Sequence, residues 1–254
     1  MCSPEAAPSA LRMLAPGLNA YTLRFDPDLL KPLQAEFNHS VQPWLQSKPG
    51  QRALQGGRLL RQALPGRQYA VFSYNTYPLL WIAHHNAERM TLFQRLFRQL
   101  GLDLHLQTQV QPLHRVRFYA GFFVVGQQAP AALWHDDYAP AAPGYTLITP
   151  LYPLAPEHGH LLYKTADGQE AIYRYQSGEA VLIGAGLQHS TQPYAPSGQL
   201  RVLLSLTLGS DRLRDWPLLA PTIGRQARYF QLPCGHIRGQ CLCRLWARFR
   251  RDLA

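Results

Sequence analysis

Between residues 104 and 210 the chain changes its period, and that change limits the fold more than any other feature. The runs HRVRFYAGFFVVG, YTLITPLYPL, GHLLYKT, EAIYRYQ, EAVLIGA and LRVLLSLTLG are short and rich in aromatic and β-branched residues, the composition of strands. Gly, Pro and polar turns (APAAPG, APEHG, ADGQ, QSGE, APSG) separate them, and few helical patterns intervene. Strands joined by turns rather than by crossover helices pair antiparallel. The expectation is a mostly β fold with flanking helices and a jelly-roll or sandwich core over about 104–210.

Upstream the pattern is helical. AERMTLFQRLFRQLGL repeats Met90, Phe93, Leu96, Phe97 and Leu100 at three- and four-residue steps, and Gly101 fits a helix stop. Residues 26–46 predict a shorter, Pro-broken helical stretch, and KPGQRALQGG reads as a loop. Helical support is therefore expected over about 26–101, within one domain spanning 18–210. A loose Ala-, Pro- and Ser-rich arm (1–17) precedes it. A basic extension (211–254) follows, irregular at first and ending in a helix over CRLWARFRRDLA.

With 254 residues the chain can bury a sizeable core without disulfides. Its 46% hydrophobic and 16% charged content exclude a disordered chain. The net charge of +10 points to an anionic partner, whether nucleic acid, an acidic metabolite or an acidic protein. No run reaches the roughly eighteen apolar residues of a membrane span. The first twenty residues lack the charged start and apolar stretch of a secretory leader. A cytoplasmic location without membrane contact is the expectation. Three of the four Cys cluster at 234–243, which is not a disulfide framework.

The stretch ALWHDDYAP places His135, Asp136 and Asp137 between Trp134 and Tyr138. On a strand, residues two apart share a face, so His135 and Asp137 project together and Asp136 projects away. One imidazole and one carboxylate make two-thirds of a facial triad for Fe(II), which needs a second His. His189 supplies it, after the strand EAVLIGA and a turn. Arg201 opens the otherwise apolar strand RVLLSLTLG. An Arg directed into a barrel needs an anion, and its fork suits a carboxylate.

The order His135-x-Asp137, then His189, then Arg201 twelve positions on resembles that of the Fe(II)/2-oxoglutarate-dependent oxygenases, over roughly residues 104–210. The resemblance implies a double-stranded β-helix core, a cupin-like jelly roll. It implies Fe(II) on His135, Asp137 and His189, with 2-oxoglutarate and O2 as co-substrates. The far carboxylate of 2-oxoglutarate would lie on Arg201, assisted by a hydroxyl from Thr149 or Thr191, with Tyr119, Tyr145 and Tyr152 as alternatives. An Asp at the carboxylate position implies oxygen insertion or a related oxidation such as desaturation or ring formation, because halogenating relatives leave that position without one. TLITPLYPL is similar to the family's strand that follows the first two ligands. HGHLLY departs from the family's Gly-Gly-x-Leu turn by placing His160 at the second Gly.

The expected reaction is hydroxylation of an unactivated C–H bond in a small molecule (an amino acid or natural-product intermediate) or a peptide, with release of succinate and CO2. Trp134, Tyr138 and Tyr119 are expected to wall the substrate pocket. Arg115 and Arg117 compete with Arg201. The pairs His158/His160 and His84/His85 compete as metal ligands, but the first lies in a Gly-containing turn and the second cannot share a strand face. Cys234, His236, Cys241 and Cys243 are ligand types for a structural zinc. Their spacing lacks the paired two-residue knuckles of common zinc sites, so reduced thiols beside a basic tail (Arg244, Trp246, Arg248, Phe249, Arg250, Arg251) are read first. Two alternatives to an oxygenase follow: a non-catalytic metal-binding β-barrel, or a nucleic-acid-binding module with a zinc-bound tail.

Overall fold

The computed structural model describes residues 10–73 and 76–243. Residues 1–9 of the expected arm and the basic run from Arg244 lie outside the described residues. In chain order the elements are β1 (Arg12–Met13), β2 (Ala20–Arg24), α1 (Lys31–Glu36), α2 (Gln42–Gln46), α3 (Lys48–Leu54), β3 (Arg61–Ala63), β4 (Tyr69–Ser73), β5 (Leu79–His84) and α4 (Ala87–Gln99). Then follow α5 (Leu102–His105), α6 (Gln107–Val110), β6 (Arg117–Gly126), β7 (Gly144–Pro150), β8 (Leu161–Lys164), β9 (Glu170–Tyr173), β10 (Glu179–Gly184), β11 (His189–Thr191), β12 (Arg201–Gly209) and α7 (Trp216–Gln226).

Two antiparallel sheets hold these strands. The larger has the order β1-β2-β10-β7-β12-β6-β5-β4-β3, and the smaller β11-β8-β9. Strands β7, β12, β6 and β5 of the larger sheet and β8 and β11 of the smaller line a shared cavity. Isolated antiparallel bridges from Ala129 to Tyr194 and from His135 to His189 tie the connection after β6 to β11 and the chain beyond it. This is the double-stranded β-helix that the sequence predicts, flanked by helices.

The packing explains the strand sequences. Helices α1 and α4 cover the outer face of the larger sheet, where Phe37, Phe93 and Phe97 meet Phe123, Val125, Leu147, Leu182 and Leu204. Its inner face contributes Phe122, Val124, Val181, Ile183 and Leu203. Both faces are buried, so β6 and β12 read as continuous apolar runs rather than alternating ones. Helix α4 begins at Asn86, whose side chain accepts the Arg89 N–H at 2.9 Å, a normal N-cap. The ring of Phe93 sits over Gly121, where a Cβ would fall 2.3 Å from it. Only Gly allows that approach.

Three expectations change. KPGQRALQGG is helical over α3, because Ser47 caps it with a bond from Gly50 N–H and Pro49 suits the first turn. The supporting segment over 26–101 is not helical alone, since β3, β4 and β5 extend the larger sheet. The tail after residue 211 is not irregular, because α7 packs Leu219 and Ile223 into the inner core. No helix among the described residues is long and apolar enough to cross a membrane.

His84 ends β5 inside this core. It is fully buried against Phe93, Phe118 and Tyr229, and neither ring nitrogen has a hydrogen-bond partner among the described residues. Burial pushes its pKa down to about 3. A group with a depressed His pKa binds its proton only on unfolding, so below about 6.5 the unfolded chain gains protons the fold refuses. Stability from this group is intact above pH 6.5 and falls by ~1.4 kcal/mol per pH unit toward about pH 3. In urea unfolding, the His84→Leu variant is expected to lose ~2–3 kcal/mol less than the wild type between pH 6.5 and pH 4.5. Parallel losses in the two proteins would refute this role.

Candidate metal centre and its cavity

Three elements bring the candidate ligands together. His189 starts β11 and pairs with His135 through two backbone bonds of 3.0 Å. That bridge sets the two imidazoles side by side, with ring centroids 4.4 Å apart. Asp137 follows in a bend behind them. Its Oδ1 lies 3.8 Å from His135 Nε2 and 3.9 Å from His189 Nε2. One ligand atom from each residue falls within 4.8 Å of the others.

Each imidazole is held by the same local device. His135 Nδ1 lies 2.8 Å from Leu133 O, and His189 Nδ1 lies 3.0 Å from Leu187 O. A carbonyl only accepts, so both Nδ1 atoms carry the proton. Both Nε2 lone pairs then face Asp137, the tautomer a metal needs. Burial holds the His189 pKa below its ordinary value, against the pull of the Asp137 charge. The ring is thereby kept neutral, as a ligand must be.

Asp137 is buried whereas Asp136 is exposed, the split expected from strand alternation. The cause is different, however. WHDDY is not a strand, since only His135 makes a bridge. The turn of Asp137 is fixed instead by α7, where the Thr222 hydroxyl donates to the Asp137 carbonyl.

The cavity beside these residues is small, about 70 Å³, with apolar walls that include Trp81, Phe122, Val124, Ile148, Leu161 and Leu203. Arg201 reaches into the same cavity, with 1% of its surface exposed. Its Nε donates to Gly159 O at 2.7 Å. The guanidinium lies 5.7 Å from the centroid of the Tyr175 ring. Its Nη1 is buried with no hydrogen-bond partner among the described residues. Such a cationic nitrogen costs several kcal/mol unless an anion meets it. The two orphan-donor and ligand-convergence observations together fit a metal with a carboxylate-bearing co-substrate.

His160, the departure from the Gly-Gly-x-Leu turn, has a structural use. Its Nδ1 accepts the Tyr175 N–H at 3.1 Å, which holds that ring beside Arg201. Burial, with Arg174 and Arg201 nearby, lowers its pKa and preserves the acceptor. Gly159 keeps its left-handed φ of 47°, and a Cβ there would strike Tyr194. His158 bonds Ser197 Oγ at 2.8 Å. Neither His belongs to the metal group.

Several expected pocket residues lie elsewhere. Thr149 is on the helix-covered face of β7, and its hydroxyl donates to Glu179 O at 2.8 Å. Thr146 and Ile148, of the other parity, line the cavity instead, and Thr191 lines it from β11. Tyr119 and Tyr138 are core residues, donating to Ser210 O and Tyr145 O. Trp134 lies half-buried beneath Lys164, whose Nζ is 4.6 Å from the ring centroid. Tyr145 and Tyr152 donate to Asn19 and Asn38. Arg115 and Arg117 face Cys234 across a separate groove. Ser205 and Gln226, unforeseen, line the cavity. Ser205 could have been found, because it shares the parity of Arg201 on β12.

No family model matches the sequence, and no curated protein sequence matches it. Solved structures are similar to it. EctD from S. alaskensis, in its apoform, aligns with a TM-score of 0.51 at 14% identity, over 76% of this chain and 73% of that one. AviO1 from Streptomyces viridochromogenes Tue57 aligns with a TM-score of 0.50 at 17% identity, over 75% and 89%. HygX from Streptomyces hygroscopicus, solved with nickel and 2-oxoglutarate bound, aligns with a TM-score of 0.47 at 12% identity, over 76% and 82%. At these identities the likeness to the first two is one of fold.

Proposed function

We propose that this chain is an Fe(II)/2-oxoglutarate-dependent oxygenase. The reaction it carries out is hydroxylation of an unactivated C–H bond in a small molecule, an amino acid or natural-product intermediate, or in a peptide. The observation that carries the reading is one cavity lined by both the His135–Asp137–His189 triad and the unpaired Nη1 of Arg201. A metal alone would account for the triad, but not for a buried guanidinium nitrogen with no partner among the described residues.

His135 and His189 would hold Fe(II) through Nε2 and Asp137 through Oδ1, two His and one carboxylate as non-haem Fe(II) sites require. When bound, iron and 2-oxoglutarate together supply the oxidising power from O2, with succinate and CO2 released. The chain's own part is placement. Leu133 O and Leu187 O fix the imidazole planes, and Thr222 fixes the turn of Asp137. Arg201 would orient 2-oxoglutarate by its far carboxylate, with Thr191 as a hydroxyl from the opposite sheet. Phe122, Val124, Ile148 and Leu203 keep the cavity dry.

The cavity is small and mostly apolar-walled, which favours a small molecule or a single side chain over a nucleic acid. The basic groove around Arg98, Arg115 and Arg117 lies beside Cys234 and is lined by none of the triad.

The test is spectroscopic and chemical. Under anaerobic conditions, Fe(II) plus 2-oxoglutarate is expected to give a weak visible charge-transfer band. Under air, succinate should form, faster with a substrate. A band without succinate over a broad substrate panel would leave a metal-binding barrel. Absence of both would overturn the proposal.

A further inference from the structure

A second set of ligand atoms converges far from the cavity, on the chain after α7. One atom each from Cys234, His236, Cys241 and Cys243 falls within 4.8 Å of all the others. Cys234 and Cys241 have their sulfurs 3.5 Å apart. His236 Nδ1 is 3.8 Å from Cys241 Sγ and 3.3 Å from Cys243 Sγ. A tetrahedral zinc with bonds of about 2.3 Å to sulfur and about 2.0 Å to nitrogen implies donor–donor edges of about 3.5–3.8 Å. The observed edges of 3.3–3.8 Å sit around that range. A disulfide would need about 2.05 Å between sulfurs.

The backbone is built to deliver these donors. Gly235 N–H donates to Leu232 O, and Leu232 N–H to His236 O, both at 2.8 Å. Gly235 has a φ of 87°, which a residue with a Cβ rarely adopts. This tight hairpin presents Cys234 and His236 together. A second turn, closed by Gln240 N–H to Ile237 O at 3.0 Å with Gly239 at a φ of 84°, returns the chain so that Cys241 and Cys243 meet them. Apolar burial explains little of the order of this segment, because beyond Ile237, which packs against the core, Arg238, Gly239, Gln240, Leu242 and Cys243 are all exposed. A segment with so little to bury needs another source of stability to offset its ordering entropy.

We propose that Cys234, His236, Cys241 and Cys243 form a structural Zn(II) site. Three thiolates and one imidazole suit zinc rather than a hard, oxygen-seeking cation. Four protein ligands leave no open position, so the site is structural rather than catalytic. The thiols release their protons to solvent as the metal binds, and no electron moves. The site clamps the chain's end to the barrel, since Gln231 N–H donates to Tyr119 O at 3.0 Å just before it. This assignment is independent of the oxygenase reading.

The experiment uses the full chain purified under reducing conditions, with His135→Ala and Asp137→Ala in the background so that the cavity contributes no metal. Elemental analysis is expected to find about one zinc per chain. Exchange for Co(II) should give a thiolate-to-cobalt band in the near ultraviolet and the intense visible absorption of tetrahedral cobalt. Cys234→Ser and the exposed-position variant Cys243→Ser should each lose the zinc and the cobalt spectrum while keeping the far-ultraviolet circular dichroism of the barrel. A reduced parent that contains no zinc and takes up cobalt only with octahedral absorption would overturn the site. So would zinc retained by the Cys234→Ser/Cys241→Ser double variant, or a Cys234–Cys241 disulfide in the protein as purified.

Discussion

Replacing Asp137 by Ala should abolish turnover, by about 10³-fold or more, which is about 4 kcal/mol of transition-state stabilisation at 1.4 kcal/mol per decade. The variant should also fail to show the anaerobic Fe(II)/2-oxoglutarate band. The carboxylate is the only anionic group in the triad, and it stands 3.8 and 3.9 Å from the two Nε2 atoms. Two neutral imidazoles alone hold a divalent cation weakly. Folding is not the cause, because the turn is held by Thr222 through the Asp137 carbonyl, which the substitution leaves in place.

The matched control is Asp136→Ala. That side chain is exposed and outside the triad, so activity and iron binding should change by less than about twofold. If Asp136→Ala loses iron while Asp137→Ala keeps it, the assignment of the carboxylate ligand is wrong.

The comparison of this pair shows what could be read from the sequence. His135 and Asp137 were separated from Asp136 by assuming a strand, and the structure has a single bridge at His135 followed by a bend. The pairing survived because the bridge to His189 fixes His135, and α7 then fixes Asp137. Pro217 and Pro221 hide that helix in the sequence. Its buried positions, Leu219, Thr222, Ile223 and Gln226, nonetheless have helical spacing. Pro217 sits in the first turn, where its missing N–H costs nothing.

The inner-face residues were harder to identify for a physical reason. A strand covered on both sides carries no polar–apolar alternation, so nothing in YTLITP said whether Thr146 or Thr149 faced the cavity. Only register decides. Thr146 pairs with Thr207 and Thr149 with Leu204, and the even-numbered positions of β7 point inward. The small sheet, half exposed, alternates over β8 and β9, which lie in GHLLYKT and EAIYRYQ, whereas the short β11 is not among the expected strands. Tyr119 and Tyr138 show the opposite problem. An aromatic residue beside a ligand looks like a pocket wall, yet each hydroxyl is committed to a backbone carbonyl within the core.

Replacing Arg201 by Met should raise the KM for 2-oxoglutarate by about 100-fold, corresponding to ~3 kcal/mol for a lost charge-assisted, two-bond contact. Arg201→Lys should fall between, keeping the charge but losing the planar fork. The competing role for Arg201 is support of the Gly159 turn, through the 2.7 Å bond from Nε. The two roles predict different splits. A supporting Arg would, on loss, lower Tm and leave the KM for 2-oxoglutarate unchanged. A co-substrate Arg is a buried charge awaiting its partner, so exchanging it for an apolar side chain of similar length should leave the Tm of the ligand-free protein unchanged or higher. The wild type should then gain Tm as 2-oxoglutarate is added, in the manner of any ligand that binds only the folded state. Arg201→Met should not. A Tm that still rises with 2-oxoglutarate at wild-type concentrations in that variant would place the far carboxylate on another group and leave the Nη1 of Arg201 without an assigned anion.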